Sequence, residues 1–196
     1  MRRLEMMVPE HAVRMIGGKG CAMAWRRLFT DGKKTAALTG SRELPYTEQI
    51  WFPYHIYTLE MTSRRNPGLM QVSVEAWSGA FAIFQLGGEL IDSPPEKGEV
   101  FAPRLHLEDC ESHARDNLLH TIMRQRSRLG GKPVAGAVVE RETILYPLWV
   151  YYFARKKGVI DIKIVDGISG RPSGHRTRTG VLDAFVAKQK APGGEG

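Results

Sequence analysis

A chain of 196 residues with 42% hydrophobic side chains can bury a core without disulfide or metal staples, as one domain or as two small ones. Mean hydropathy is −0.28 and the longest apolar run, 144–154, covers 11 residues against the about 20 a spanning helix needs, which excludes a transmembrane helix. The excess of 28 basic over 21 acidic residues, a net charge of +7, favours acidic partners: an acidic protein face, nucleic acid or anionic lipid.

The N-terminus carries Arg2 and Arg3 but no apolar stretch of export-signal length behind them. Only two cysteines, Cys21 and Cys110, are present, and no Cys-x-x-Cys pair, so neither a disulfide framework nor a zinc ribbon is indicated. The expectation is a cytoplasmic protein with no membrane span.

In chain order, residues 10–29 place Ala12, Val13, Ile16, Cys21, Ala22, Trp25, Leu28 and Phe29 at helical spacing, weakened by Gly17, Gly18 and Gly20. A short strand is expected over 36–44. Residues 54–61, rich in aromatic and β-branched side chains, read as a strand entered through Pro53, with 72–75 as its hairpin partner across the Asn66-Pro67-Gly68 turn. Residues 91–98, with Pro94, Pro95 and Gly98, have linker composition. The strongest helical pattern follows over 112–129 on Ala114, Leu118, Leu119, Ile122, Met123 and Leu129, stopped by Gly130, Gly131 and Pro133. A short strand over 134–140 then leads to a second hairpin, 148–154 with 160–165, whose Ile160, Ile162 and Ile164 alternate with polar neighbours. Residues 179–189 carry a C-terminal helix pattern on Val181, Leu182, Phe185 and Val186, and 191–196 read as a tail.

The two hairpins are alike in sequence. Residues 48–57 laid over 142–151 match Glu48 with Glu142, Ile50 with Ile144, Pro53 with Pro147 and Tyr57 with Tyr151, and the turn ending in Ser78-Gly79 lies over Ser169-Gly170. This is an internal repeat, and three extra residues in the first copy fit a longer hairpin loop. The expected fold is therefore α+β: two tandem repeats, each a helix packed on a small antiparallel sheet, over 1–94 and 95–180, with a helix or tail over 181–196.

The second block, Tyr146-Pro147-Leu148-Trp149 followed by Asp166-Gly167-Ile168-Ser169-Gly170, resembles the motif pair of PepSY-like domains. That resemblance implies a helix on a small antiparallel sheet and a role in binding or inhibiting another protein. It brings no catalytic residues.

Three sets of residues bear on chemistry. His106, Asp109, Cys110, His113, Asp116 and His120 gather at the start of the best helix, but the seven-residue spacing of His113 and His120 lacks the one-turn geometry of a zinc pair, and a solvated first turn explains them. Cys110 lacks an oxyanion motif or an orienting third group. Gly17-Gly18-Lys19-Gly20 ends on Cys21 where a phosphate loop needs Ser or Thr, so a nucleotide site is set aside. Basic residues recur at both hairpin tips, Arg64 and Arg65 in one copy and Lys156 and Lys157 in the other. Arg171, Arg176 and Arg178, with His175, add to them, and Trp149 stands beside.

The reading that follows is a non-catalytic interaction protein, an accessory or adaptor subunit presenting sheet edges and these basic residues to another protein with an acidic surface. No cofactor, metal or catalytic residue is assigned, and assembly with a second copy is left open. A nucleic-acid-binding protein using the basic tips and an enzyme built on residues 106–120 are the alternatives.

Overall fold

The computed structural model describes residues 1–18, 44–62, 68–84, 90–125, 134–154 and 160–190. Two long antiparallel strands form its spine. β2 (Tyr46–Thr62) pairs with β7 (Val134–Ala154) from Tyr46 opposite Tyr152 to Thr62 opposite Val134. Around them lie β1 (Arg2–Leu4), β3 (Gly68–Glu75), β4 (Phe81–Ile83), β5 (Leu90–Ile91), β6 (Glu99–Val100) and β8 (Ile160–Asp166). The result is one mixed eight-stranded sheet in the order β4-β3-β2-β7-β1-β5, with β6 added beside β2 and β8 beside β7. An α+β protein was expected and is found, but with one continuous sheet instead of two small ones. The short strand expected over 134–140 is the first part of β7, while the expected strand at 36–44 lies outside the described residues except for Leu44.

Three helices are described: α1 (Glu10–Gly18), α2 (Asp109–Gln125) and α3 (His175–Lys190). Strand alternation decides what each covers. On one face, Tyr57, Leu59, Met61, Val72 and Val74 bury against Cys110, Ala114, Leu118 and Ile122 of α2, while Trp149, Tyr151 and Val165 bury against Val13 of α1. On the other, Leu148, Val150, Tyr152, Ile162 and Ile164 pack on Val181, Leu182, Ala184 and Phe185 of α3. The helices therefore cross over: α1, ahead of the first hairpin, covers the second, and α2, ahead of the second, covers the first. A cut between 94 and 95 separates α2 from the hairpin it covers.

Matching contacts recur in the two halves. Ala76 N donates to Pro53 O at 2.9 Å and Gly167 N to Pro147 O at 3.0 Å. Gly79 N closes on Glu75 O, and Gly170 N on Asp166 O, with both glycines at positive φ, 75° and 69°. Arg104 N and Leu105 N donate to Ala76 O as Met7 N and Val8 N donate to Gly167 O. His55 Nε2 meets Leu105 O at 2.8 Å, and Trp149 Nε1 meets Val8 O at 2.9 Å. β6 runs parallel to β2 at Ile50 and Trp51, as β1 does to β7 at Ile144 and Leu145.

This pattern explains prolines in central strands. Beside β2 the outer neighbour changes from β6, which ends opposite Trp51, to β3, which begins opposite Tyr54; beside β7 it changes from β1 to β8 between Leu145 and Leu148. Pro53 and Pro147 sit in those gaps, with their carbonyls turned outward to accept from the following turn, so the missing N–H breaks no ladder bond.

Two positions expected on a binding surface are structural. Trp149 is 8% exposed, covered by α1, so it cannot serve as an exposed platform. Arg178 is 3% exposed: it ion-pairs with Asp161 at 2.5 Å, and its Nε donates to Ile162 O at 3.1 Å. The outer edge of β8 is thereby closed, since Ile162 N turns to Asp161 Oδ1 and Ser173 N takes Ile164 O. It is no free edge for an added strand.

Two substitutions check these placements. Trp149→Ala should cost about 3–5 kcal/mol, as large-to-small core changes do, read from the denaturant midpoint; an unchanged midpoint would show that the indole is not core. Arg178→Ala should cost about 3–5 kcal/mol by removing the cation paired with the buried Asp161 carboxylate, and a loss below about 1 kcal/mol would show that the pair is solvated.

Candidate functional site

The turn that follows β3 is organised by one buried carboxylate. Glu75, 1% exposed, accepts Trp77 N and Ser78 N on Oε1, each at 3.0 Å, and Ser78 Oγ on Oε2. Its counterpart Asp166 accepts Ile168 N at 3.0 Å and Ser169 N at 2.7 Å, and takes the Tyr146 hydroxyl as well. Such side-chain capping of a turn's free N–H groups is what Asp and, with one more methylene, Glu can do. Burial holds the Glu75 carboxyl above the ordinary carboxylate range, against the hydrogen bonds from Ser78 and Trp77 that favour its charged form.

Both α2 and α3 close on this turn. His113 of α2 donates Nε2–H to Gly79 O at 3.0 Å, and Asn117 lies one turn along. Gly180 of α3 fits against the carboxylate so closely that a Cβ there would lie 2.8 Å from Glu75 Oε2. Between the helices and the turn lies an open cleft of about 380 Å³, whose wall carries His113, Asn117, His175, Arg176, Thr179 and Asp183. Arg176 supplies a fixed positive charge and Asp183 a negative one. The other lining side chains add a hydroxyl, an amide and two imidazoles, so the cleft is polar and suited to holding a small polar group.

Of the expected binding residues, Arg171 and Arg176 are exposed, and Arg176 reaches the cleft. Arg64, Arg65, Lys156 and Lys157 lie outside the described residues, as does Cys21. Around 106–120 the helix does not gather a site: His106, His113 and His120 are exposed, whereas Cys110 is 5% exposed. Burial, with the Asp109 carboxylate beside it, pushes the Cys110 thiol up, away from the thiolate a nucleophile needs. Among the described residues there is no group of three or more His, Cys, Asp or Glu able to hold a metal ion. No described helix is long and apolar enough to cross a membrane.

Glu75, Asn117 and Asp183 were not singled out from sequence. The Glu75–Gly79 stretch aligned with Asp166–Gly170 carried a signal, an acid three residues before a Ser-Gly pair in both copies, which is a capped-turn pattern. Asn117 and Asp183 carried none, because they meet only where two helices from opposite sheet faces reach the same turn.

No family model, curated protein or solved structure was found to match this chain.

The Glu75 carboxyl makes a pH prediction. A carboxyl raised in the folded state keeps its full contribution below about pH 4.5, where both states are protonated, and stability falls as pH rises from there through the folded value. His55 runs the other way. Buried between Thr143 Oγ1 and Leu105 O, it is lowered by desolvation and costs stability as pH falls below about 6.5. Glu75→Gln keeps an acceptor for the two N–H groups and should remove the alkaline-going loss while leaving the His55 limb in place, measured by denaturant unfolding at several pH values. Identical pH profiles for the two proteins would show that Glu75 does not titrate in that window.

Proposed function

We propose that this chain is a non-catalytic interaction protein, an accessory or adaptor subunit that recognises an acidic surface of another protein through the cleft beside α3 and the exposed cations around it. The observation that carries the reading is that Arg171, His175 and Arg176 stay exposed at one corner, two of them lining a polar cleft, while the groups best placed for chemistry are held in internal contacts. Glu75 caps its turn, His55 bridges Thr143 and Leu105, and Cys110 of α2 is buried against the first hairpin. The net charge of +7 adds a general attraction for such a partner.

The architecture behind this reading is a duplicated unit of short strand, helix and long hairpin with a capped turn, the two copies interlocked so that each helix covers the other copy's hairpin. Support comes from the matching hydrogen bonds at Pro53 and Pro147, at Glu75 and Asp166, and at His55 and Trp149. A PepSY-like origin of the unit rests on Tyr146-Pro147-Leu148-Trp149 with Asp166–Gly170, and accords with a binding role.

The test compares two labelled probes against the full chain, a decaglutamate peptide and a random-sequence DNA duplex, over a range of salt. The peptide is expected to bind with a shallow salt dependence. Tighter binding of DNA with a slope of about 0.9 per phosphate contact, over several contacts, would replace this reading by nucleic-acid binding.

A further inference from the structure

The cleft's own charge pattern narrows what it can hold. Its lining carries one guanidinium, Arg176, and one carboxylate, Asp183, together with the polar side chains of Asn117, Thr179, His113 and His175. Behind the wall, at the Gly180 contact, sits the buried Glu75 carboxyl. A phosphate group would bring a charge of about −1.5 to −2 against a single fixed cation with two acids near it, a larger uncompensated charge than a carboxylate leaves. A carboxylate brings one negative charge, and the planar guanidinium fork fits its two oxygens side by side. The volume, about 380 Å³, suits a side chain and not a nucleotide track.

Resting on the acidic-partner reading above, we infer that the cleft is a carboxylate pocket that takes one Asp or Glu side chain of the partner, with Arg176 as its anchor and Asp183 as the element that weakens and selects. Arg176 donates to the two carboxylate oxygens. Asp183 repels any group that brings more than one negative charge, which turns a general basic attraction into selection for single carboxylates spaced along a protein surface.

The two charged residues make opposite predictions, which a merely structural role would not. Both are exposed, so substitution should leave the melting temperature unchanged. Binding of a decaglutamate peptide to the full chain is measured by calorimetry with Arg176→Ala, with Asp183→Asn and with the unaltered protein, and inorganic phosphate is titrated as a competitor. The expected result is roughly tenfold weaker binding for Arg176→Ala and several-fold tighter binding for Asp183→Asn, with phosphate competing poorly in the unaltered protein. If the peptide binds and neither substitution matters, the pocket assignment is overturned while the acidic-partner reading stands on other cations. Phosphate displacing the peptide at low millimolar concentration would also overturn the carboxylate assignment, and no peptide binding at all would overturn both.

Discussion

Everything in this molecule hangs on the pairing of β2 with β7. Each is long enough, 17 and 21 residues, to serve two neighbourhoods at once: a short parallel strand flanks it ahead of its proline and its own hairpin partner beyond it. Because Trp51, Phe52, Tyr57, Leu148 and Tyr152 are all almost fully buried, both faces of the spine must be covered, and no single helix can do it. α3 covers one face, and the crossed pair α1 and α2 covers the other. The segments leading into the two helices are held by carbonyls of the opposite hairpin's turn, Ala76 O for one and Gly167 O for the other. Neither half can then bury its aromatic strand without the other.

The two halves differ most where α3 lies. Among the described residues it has no counterpart in the first half, where Phe84 and Leu90 pack on Leu4, Ile56 and Ile144. In crossing the α3 face it brings Thr177, Thr179 and Gly180 toward the Glu75 turn, and burial raises the Tyr54 hydroxyl that sits between Thr177 and Glu75. A cleft forms at that turn because helices approach it from both sides, α2 through His113 and α3 through Gly180. At the corresponding Asp166 turn, Met6 and Pro147 crowd Gly167, where the first turn has Ala76.

How much of this was legible follows from range. The hairpins, the proline entries, the Ser-Gly turns, the helix from about 112 and the C-terminal helix rest on contacts close in sequence. The single sheet was not legible, because the register that sets Phe52 against Tyr146 is a contact across 94 residues. Nor was the destination of each helix: the apolar stripe of α2 says that it must cover something, and the same stripe would suit either hairpin. Among the charged residues, sequence placed Arg171, Arg176 and Arg178 in one basic stretch. The helix starting at His175 separates them, turning Arg178 inward to Asp161 while Arg176 stays outside.

That separation shows why net charge is a poor guide to a binding surface. A guanidinium two residues from another can be consumed by the fold, as Arg178 is in closing the edge of β8, where its removal would take the buried cation away from the Asp161 carboxylate and a donor away from Ile162 O. The cations left for a partner are those whose helix face looks away from the sheet, and on α3 the same rotation that buries Val181, Leu182 and Phe185 leaves Arg176, Thr179 and Asp183 exposed beside the Glu75 turn. The packing of α3 therefore sets both the stability of the second hairpin and the polarity of the cleft. A change that rotates this helix would move the two together.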